Sequence, residues 1–209
     1  MKTSWTTLAV LAILAAPAVA MARQPVPPRA THAVHELARC IFVAEPNRAR
    51  LLLTMAPRDP RYAVTFQHVI ERNACLAYGT ISTNDRVFKG SLAEFVLLRD
   101  LAGAPLAAHV AYDPSRPPIR ATDEGEIMSI CVVRALPQQV ETLLRTEPSS
   151  RGETVALQAI GPALPGCLRR GARAELDRSS LRAMLASAAF RLTEEDSGET
   201  ADEAPSVTH

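Results

Sequence analysis

Aromatic residues and glycines are scarce in this chain of 209 residues: five Phe, three Tyr and one Trp, against nine Gly. Few aromatics leave few platforms on which nucleobases could stack. The glycines form no phosphate-cradling loop of the P-loop or dinucleotide-binding kind. No Gly-x-Ser-x-Gly occurs, so the serine nucleophile of a strand–turn–helix elbow is missing. The four cysteines include no Cys-x-x-Cys pair and no zinc-ligand spacing, which removes the usual redox and structural-zinc readings. Beyond the first twenty residues no segment approaches ~20 uninterrupted apolar residues, so no later membrane span is expected.

Those first twenty residues read as an export signal. Lys2 supplies a positive start, Leu8 to Ala16 an uncharged apolar core, and Ala18-Val19-Ala20 the small-x-small pattern of a signal-peptidase site. The apolar stretch is short for a bilayer span, and no cysteine at the cleavage point supports a lipid anchor. The expected location is therefore the periplasm or the extracellular space.

The remaining chain looks written twice, with the cysteines marking the copies. Cys40 and Cys75 are 35 residues apart, and Cys131 and Cys167 are 36 apart. From each first cysteine a proline falls at +6 (Pro46, Pro137), Leu-Leu at +12 and +13 (Leu52-Leu53, Leu143-Leu144) and proline again at +17 (Pro57, Pro148). Each second cysteine opens Cys-Leu-x-x-Gly, ending at Gly79 and Gly171, and an Asp-Arg pair follows at Asp85-Arg86 and Asp177-Arg178. So many matched offsets point to a duplicated unit. In an oxidising compartment four cysteines read as two disulfides. Three pairings are open, and the duplication favours Cys40–Cys75 with Cys131–Cys167, because equivalent positions should pair equivalently.

Charge is balanced in total and uneven in distribution. From Thr193 onward there are six acids and no Lys or Arg, with almost no apolar residue, so residues 193–209 read as a disordered acidic tail. Residues 21–192 then hold 22 basic against 16 acidic groups, and Lys89 is the one lysine among them. Arginine suits phosphate recognition, but these arginines are scattered from Arg23 to Arg191 and lack aromatic companions, so no nucleic-acid partner is expected.

Periodicity is helical throughout. His32 to Ala44 carries Val34, Leu37, Ala38 and Ile41 on one stripe. Arg48 to Met55 follows Pro46 and ends before Pro57. Asp59-Pro60 opens a third helix bearing Tyr62, Phe66, Val69, Ile70 and Ala74, with Gly79 as its stop. Lys89 to Arg99 makes a fourth. The second copy repeats this with Met128 to Ala135, Pro137 to Leu144, a helix opened by the capping box Ser150-x-x-Glu153, and a last stripe of Leu181, Met184, Leu185 and Ala188. Gly161-Pro162 predicts an irregular path to Cys167. The expected fold is mainly all-α: two tandem disulfide-stapled helical repeats packed as one domain. Its parts are a signal peptide (1–20), a flexible segment (21–31), repeat one (32–111), a Pro-rich linker (112–124), repeat two (125–192) and the tail.

The elements Phe88-Lys89-Gly90-Ser91-Leu92-Ala93-Glu94 and Leu181-Arg182-Ala183-Met184-Leu185-Ala186-Ser187 resemble a Leu-Arg-Gly-Ala-Leu-Ala-Glu motif. With the Cys-Leu-x-x-Gly phrase and the Leu-Leu before a proline, the chain is similar to small secreted proteins of sphingomonad-type alphaproteobacteria over most of residues 33–192. It departs from their pattern at Lys89 and Ser187. The resemblance implies compartment and architecture and carries no activity, cofactor or catalytic residue.

Reactive-looking residues occur in one copy only. His32-x-x-His35-Glu36 places two imidazoles at i and i+3, a spacing that could hold a divalent metal, although two surface histidines explain it as well. The copy-two positions are Asp123 and Glu126. His68-x-x-Glu71 could form a base–carboxylate pair one turn apart. Glu94 lies in the shared helix motif and reads as an exposed carboxylate paired with an arginine. No catalytic set and no cofactor emerge. The expected role is non-catalytic, through protein–protein or envelope contacts, with another envelope protein as the candidate partner; the alternative is a small-molecule or metal binder, or an unrecognised hydrolase, using a cleft between the copies.

Overall fold

The computed structural model describes residues 28–56, 58–72, 75, 85–112, 114, 119, 121, 123–172 and 176–202, with the side chains of 28, 29 and 195–202 left aside. The first twenty residues expected to be an export signal, Gly79 and most of the expected Pro-rich linker lie outside these residues. The described chain is all-α, without a strand among the described residues.

Helix α1 (Pro28–Ala44) begins inside the segment expected to be flexible and buries the stripe of Val34, Leu37, Ala38 and Ile41. α2 (Pro46–Thr54) and α3 (Pro60–Arg72) each start on proline, whose missing N–H falls where a helix has no use for one. Asp59 caps α3, its side chain accepting from Arg61 N at 2.9 Å. α4 (Asp85–Asp100) starts a turn ahead of the expected Lys89 and buries Val87, Phe88, Leu92, Ala93, Val96 and Leu97. After a 3-10 turn at Leu106–Ala108 come α5 (Glu124–Ala135), capped by Asp123, and α6 (Pro137–Leu144), again opened by proline. α7 (Arg151–Ile160) is capped by Ser150 as its sequence predicts. The route past Gly161-Pro162 is more regular than expected: a 3-10 turn (Gly161–Ala163) leads directly into α8 (Leu164–Cys167). Proline is tolerated there because it sits in the first turn of each piece. Gly171 then reverses the chain with φ of 84°, a conformation that explains glycine at the end of Cys-Leu-x-x-Gly.

α9 (Arg178–Asp202) is the longest helix and continues through the first part of the acidic stretch, where Thr193 donates to Phe190 O and Glu194 pairs with Arg50. The two disulfides are Cys40–Cys75 and Cys131–Cys167, with Cα atoms 5.7 and 5.6 Å apart. No helix among the described residues is long and apolar enough to cross a membrane.

α4 and α9 form the centre of the molecule and make the most extensive helix–helix contact. α1 flanks α4 and α5 flanks α9; α2 packs on α4 and α6 on α9. The central crossing is close because Gly90 has no side chain. A Cβ placed there would lie 2.3 Å from Ala183 Cα and 2.5 Å from its carbonyl oxygen, so the α9 backbone occupies that space.

Candidate functional site

Beside this crossing four buried polar residues, His35, Glu94, Glu153 and Arg182, form one cluster. Glu94 lies on α4 one turn past Gly90 and is 3% exposed. His35, on the apolar face of α1, meets it with Nε2 3.0 Å from Glu94 Oε1. Arg182, on α9, grips the same carboxylate with two prongs, Nε to Oε2 at 2.8 Å and Nη2 to Oε1 at 2.7 Å. Such a fork is the strong geometry for arginine and carboxylate. The rest of the guanidinium is occupied as well. Nη2 donates to Thr146 O at 2.6 Å, and Nη1 reaches Thr146 Oγ1 at 3.1 Å and Glu153 Oε1 at 3.3 Å.

Glu153 is the capping residue expected from Ser150-x-x-Glu153. Its N–H does donate to Ser150 Oγ at 3.1 Å. Its buried carboxylate, however, accepts from Ser149 N at 2.9 Å and from Arg178 at 3.0 Å while also facing Arg182. A residue read as local helix chemistry thus also serves a long-range network. Two acids balance two arginines, which is the condition under which burying such charges is tolerable.

His35 donates through Nε2 to the carboxylate. Nδ1 is buried and has no hydrogen-bond partner among the described residues. The ring packs on Phe95, centroids 4.6 Å apart. Chemically the set is an imidazole–carboxylate–guanidinium clasp joining α1, α4, α7 and α9. It resembles the orienting half of a general-base site, but its carboxylate oxygens are all engaged by protein donors.

The residues singled out in sequence separate. His32 is exposed while His35 turns inward, so the two imidazoles do not share an outward face. Glu36 bonds Arg39 at 2.6 Å, and that hydrogen bond holds its carboxyl below the ordinary glutamate range. No group of three or more His, Cys, Asp or Glu suited to a metal exists among the described residues. The pair His68–Glu71 does not form: Glu71 accepts from Gln67 at 2.7 Å, and His68 Nε2 has no partner among the described residues. Glu94 has the arginine partner foreseen for it, but in the core and not at the surface; α9 covers it. Arg182 was missed, although its position one turn from Leu185 on the apolar stripe marks it as inward-facing.

Open surface features accompany the closed cluster. A groove of about 730 Å³ runs between α6 and α7, lined mainly by apolar surface of Gln138, Gln139, Thr142, Val155, Ala156 and Ala159, with Val155 59% exposed. A second cavity, of about 470 Å³, lies where α4, α5 and α9 meet. No protein-family model, no curated protein and no solved structure matches this chain.

Proposed function

We propose that this is an exported, non-catalytic helical protein that works by binding another protein of the cell envelope. The observation that carries this reading is the closed state of the His35–Glu94–Arg182–Glu153 cluster. Its acid and base groups are engaged in holding four helices together. The most apolar open surface among the described residues is the α6–α7 groove, which Val155 borders. An exposed apolar strip rimmed by polar groups suits a protein partner. The leader-like first twenty residues support export, and two disulfides are compatible with it. The resemblance to small secreted alphaproteobacterial proteins points the same way.

The test is a pull-down from the exported fraction of the native cells, with wild type and Val155→Arg as parallel baits. Val155 is exposed, so the variant should keep the wild-type circular dichroism spectrum and melting temperature. A stoichiometric partner retained by wild type and lost by the variant is the expected result. Identical captures on both baits, or repeated absence of a partner, would overturn the proposal.

A further inference from the structure

Ser187 stands on α9 where Glu94 stands on α4, each four residues beyond the Gly90–Ala183 contact. The neighbours exchange in step. Lys89 and Arg182 immediately precede the two contact residues. Each donates to the carbonyl fifteen residues past the first cysteine of a copy: Lys89 Nζ to Met55 O at 2.7 Å, Arg182 Nη2 to Thr146 O at 2.6 Å. Glu126 and His35 both lie five residues before those cysteines. Tyr62 and Glu153 both lie 22 residues after them, and Tyr62 lies against Lys89 as Glu153 lies against Arg182, with Lys89 Nζ 4.6 Å from the ring centre.

On one side of the crossing, the Glu94 carboxylate fills the space between α1, α4 and α9. On the other side that carboxylate is replaced by a hydroxymethyl group, and the 470 Å³ cavity opens there. Arg86, Lys89, Asp123, Glu126, Met184 and Ser187 line it. The acids around it already have donors. Asp123 takes Arg86 at 3.0 Å and Glu126 N at 2.9 Å, Glu126 pairs with Arg191, and Asp85 accepts from Tyr62 OH at 2.6 Å. Lys89 makes no ion pair among the described residues; burial pushes its ammonium below the ordinary lysine range against the pull of the Asp85 charge.

We propose that this cavity binds a small carboxylate, whose oxygens take the place that the Glu94 carboxylate holds on the opposite side. Lys89 supplies the charge, Ser187 Oγ and Arg86 supply further donors, and Met184 and Ala188 cover a short aliphatic chain. A monoanion fits better than a phosphate, because Asp85, Asp123 and Glu126 surround the site and repel a second negative charge. The inference rests on the duplicated reading of the sequence and goes beyond the protein-binding role, which uses a different surface.

The experiment is an NMR titration of full-length processed protein labelled at the methionine methyl groups, with propionate as the probe. Inorganic phosphate and propylammonium at equal ionic strength are the matched anion and cation. Propionate should shift the Met184 methyl resonance saturably, and the other two should not. Ser187→Glu supplies the missing carboxylate from within. It should raise the melting temperature and weaken propionate binding by about tenfold or more, the loss expected when charged hydrogen bonds are blocked. A linear, non-saturating shift in wild type would overturn the proposal, as would undiminished binding by Ser187→Glu. Phosphate saturating as readily as propionate would overturn the carboxylate assignment. None of these outcomes depends on whether the α6–α7 groove has a partner.

Discussion

On the α1 side of the central crossing, Glu94 is sealed in the core between His35 and Arg182; on the α5 side, Ser187 borders an open cavity. On both sides a basic side chain ties a central helix to a backbone carbonyl, Lys89 to Met55 O and Arg182 to Thr146 O. The two sides differ in what stands beside that tie, a buried carboxylate on one and a serine at a cavity on the other. A buried ion pair is a poor source of net stability, since desolvation cancels much of the attraction, but removing one partner leaves an uncompensated charge. The sealed side should therefore be brittle to single substitutions and the open side tolerant of them.

The largest effect is expected from Glu94→Ala. Arg182 would keep its carbonyls and a long contact to Glu153 while losing its forked partner, at a cost of about 3–5 kcal/mol. The counterpart Ser187→Ala should change stability by about 0.5 kcal/mol or less. Urea unfolding of the pair measures the contrast directly, and equal losses would break it. Replacing both groups, Glu94→Leu with Arg182→Met, should recover most of the loss, because no charge is then left buried alone.

The disulfides provide a comparison in which the two sides should agree. Their sequence separations are 35 and 36, so the chain-entropy argument assigns each about 4 kcal/mol. Cys40→Ala with Cys75→Ala, and Cys131→Ala with Cys167→Ala, should lower the unfolding free energy by similar amounts. A markedly larger loss on one side would show that one staple also orders its native neighbourhood.

At the crossing itself the two contact residues are not interchangeable. Gly90→Ala drives a methyl group into the Ala183 backbone, which cannot rotate away, and should cost roughly 1–3 kcal/mol. Ala183→Gly removes only a methyl group and some helix propensity, about 1 kcal/mol. Combining them should not restore wild-type stability, because the clash is with Ala183 Cα and O as well as its Cβ. A double variant that melts with wild type would show that the helices can slide apart.

These contrasts also explain what could be read in the sequence. Proline at Pro46, Pro60 and Pro137, the caps Asp59 and Ser150, and the apolar stripes set the helices, because each acts through residues within a turn of itself. The disulfides were legible because the matched sequence offsets of the four cysteines favour an equivalent pairing. The clasp was not, because His35, Glu94 and Arg182 meet across 59 and 88 residues and depend on which faces α1, α4 and α9 turn inward. A histidine in an i, i+3 pair carries a local metal signal; only packing reveals that His35 belongs to the apolar stripe of Val34 and Ala38. Glu153 was read correctly as a cap and incompletely as nothing more, since its second role requires Arg182 to arrive from α9.

A smaller contrast separates the two Asp-Arg pairs. Asp85, the first residue of α4, accepts the Tyr62 hydroxyl at 2.6 Å, whereas Asp177 caps α9. Its carboxylate accepts from Ser180 N at 2.9 Å and Ser180 Oγ at 2.8 Å, and also from Ser179. Burial alone would raise the Asp177 carboxyl, but those hydrogen bonds outweigh it and hold the group below the ordinary aspartate range. Asp177→Ala should cost about 1 kcal/mol at neutral pH, the usual worth of an N-cap. Because the folded value is the lower one, this stability is present above the unfolded aspartate value of about 3.9. It disappears as pH falls through the folded value. The melting temperatures of wild type and Asp177→Ala should therefore differ most near neutrality and converge in acid. A gap that stays constant into acid would mean that the cap acts through packing or shape and not through its charge.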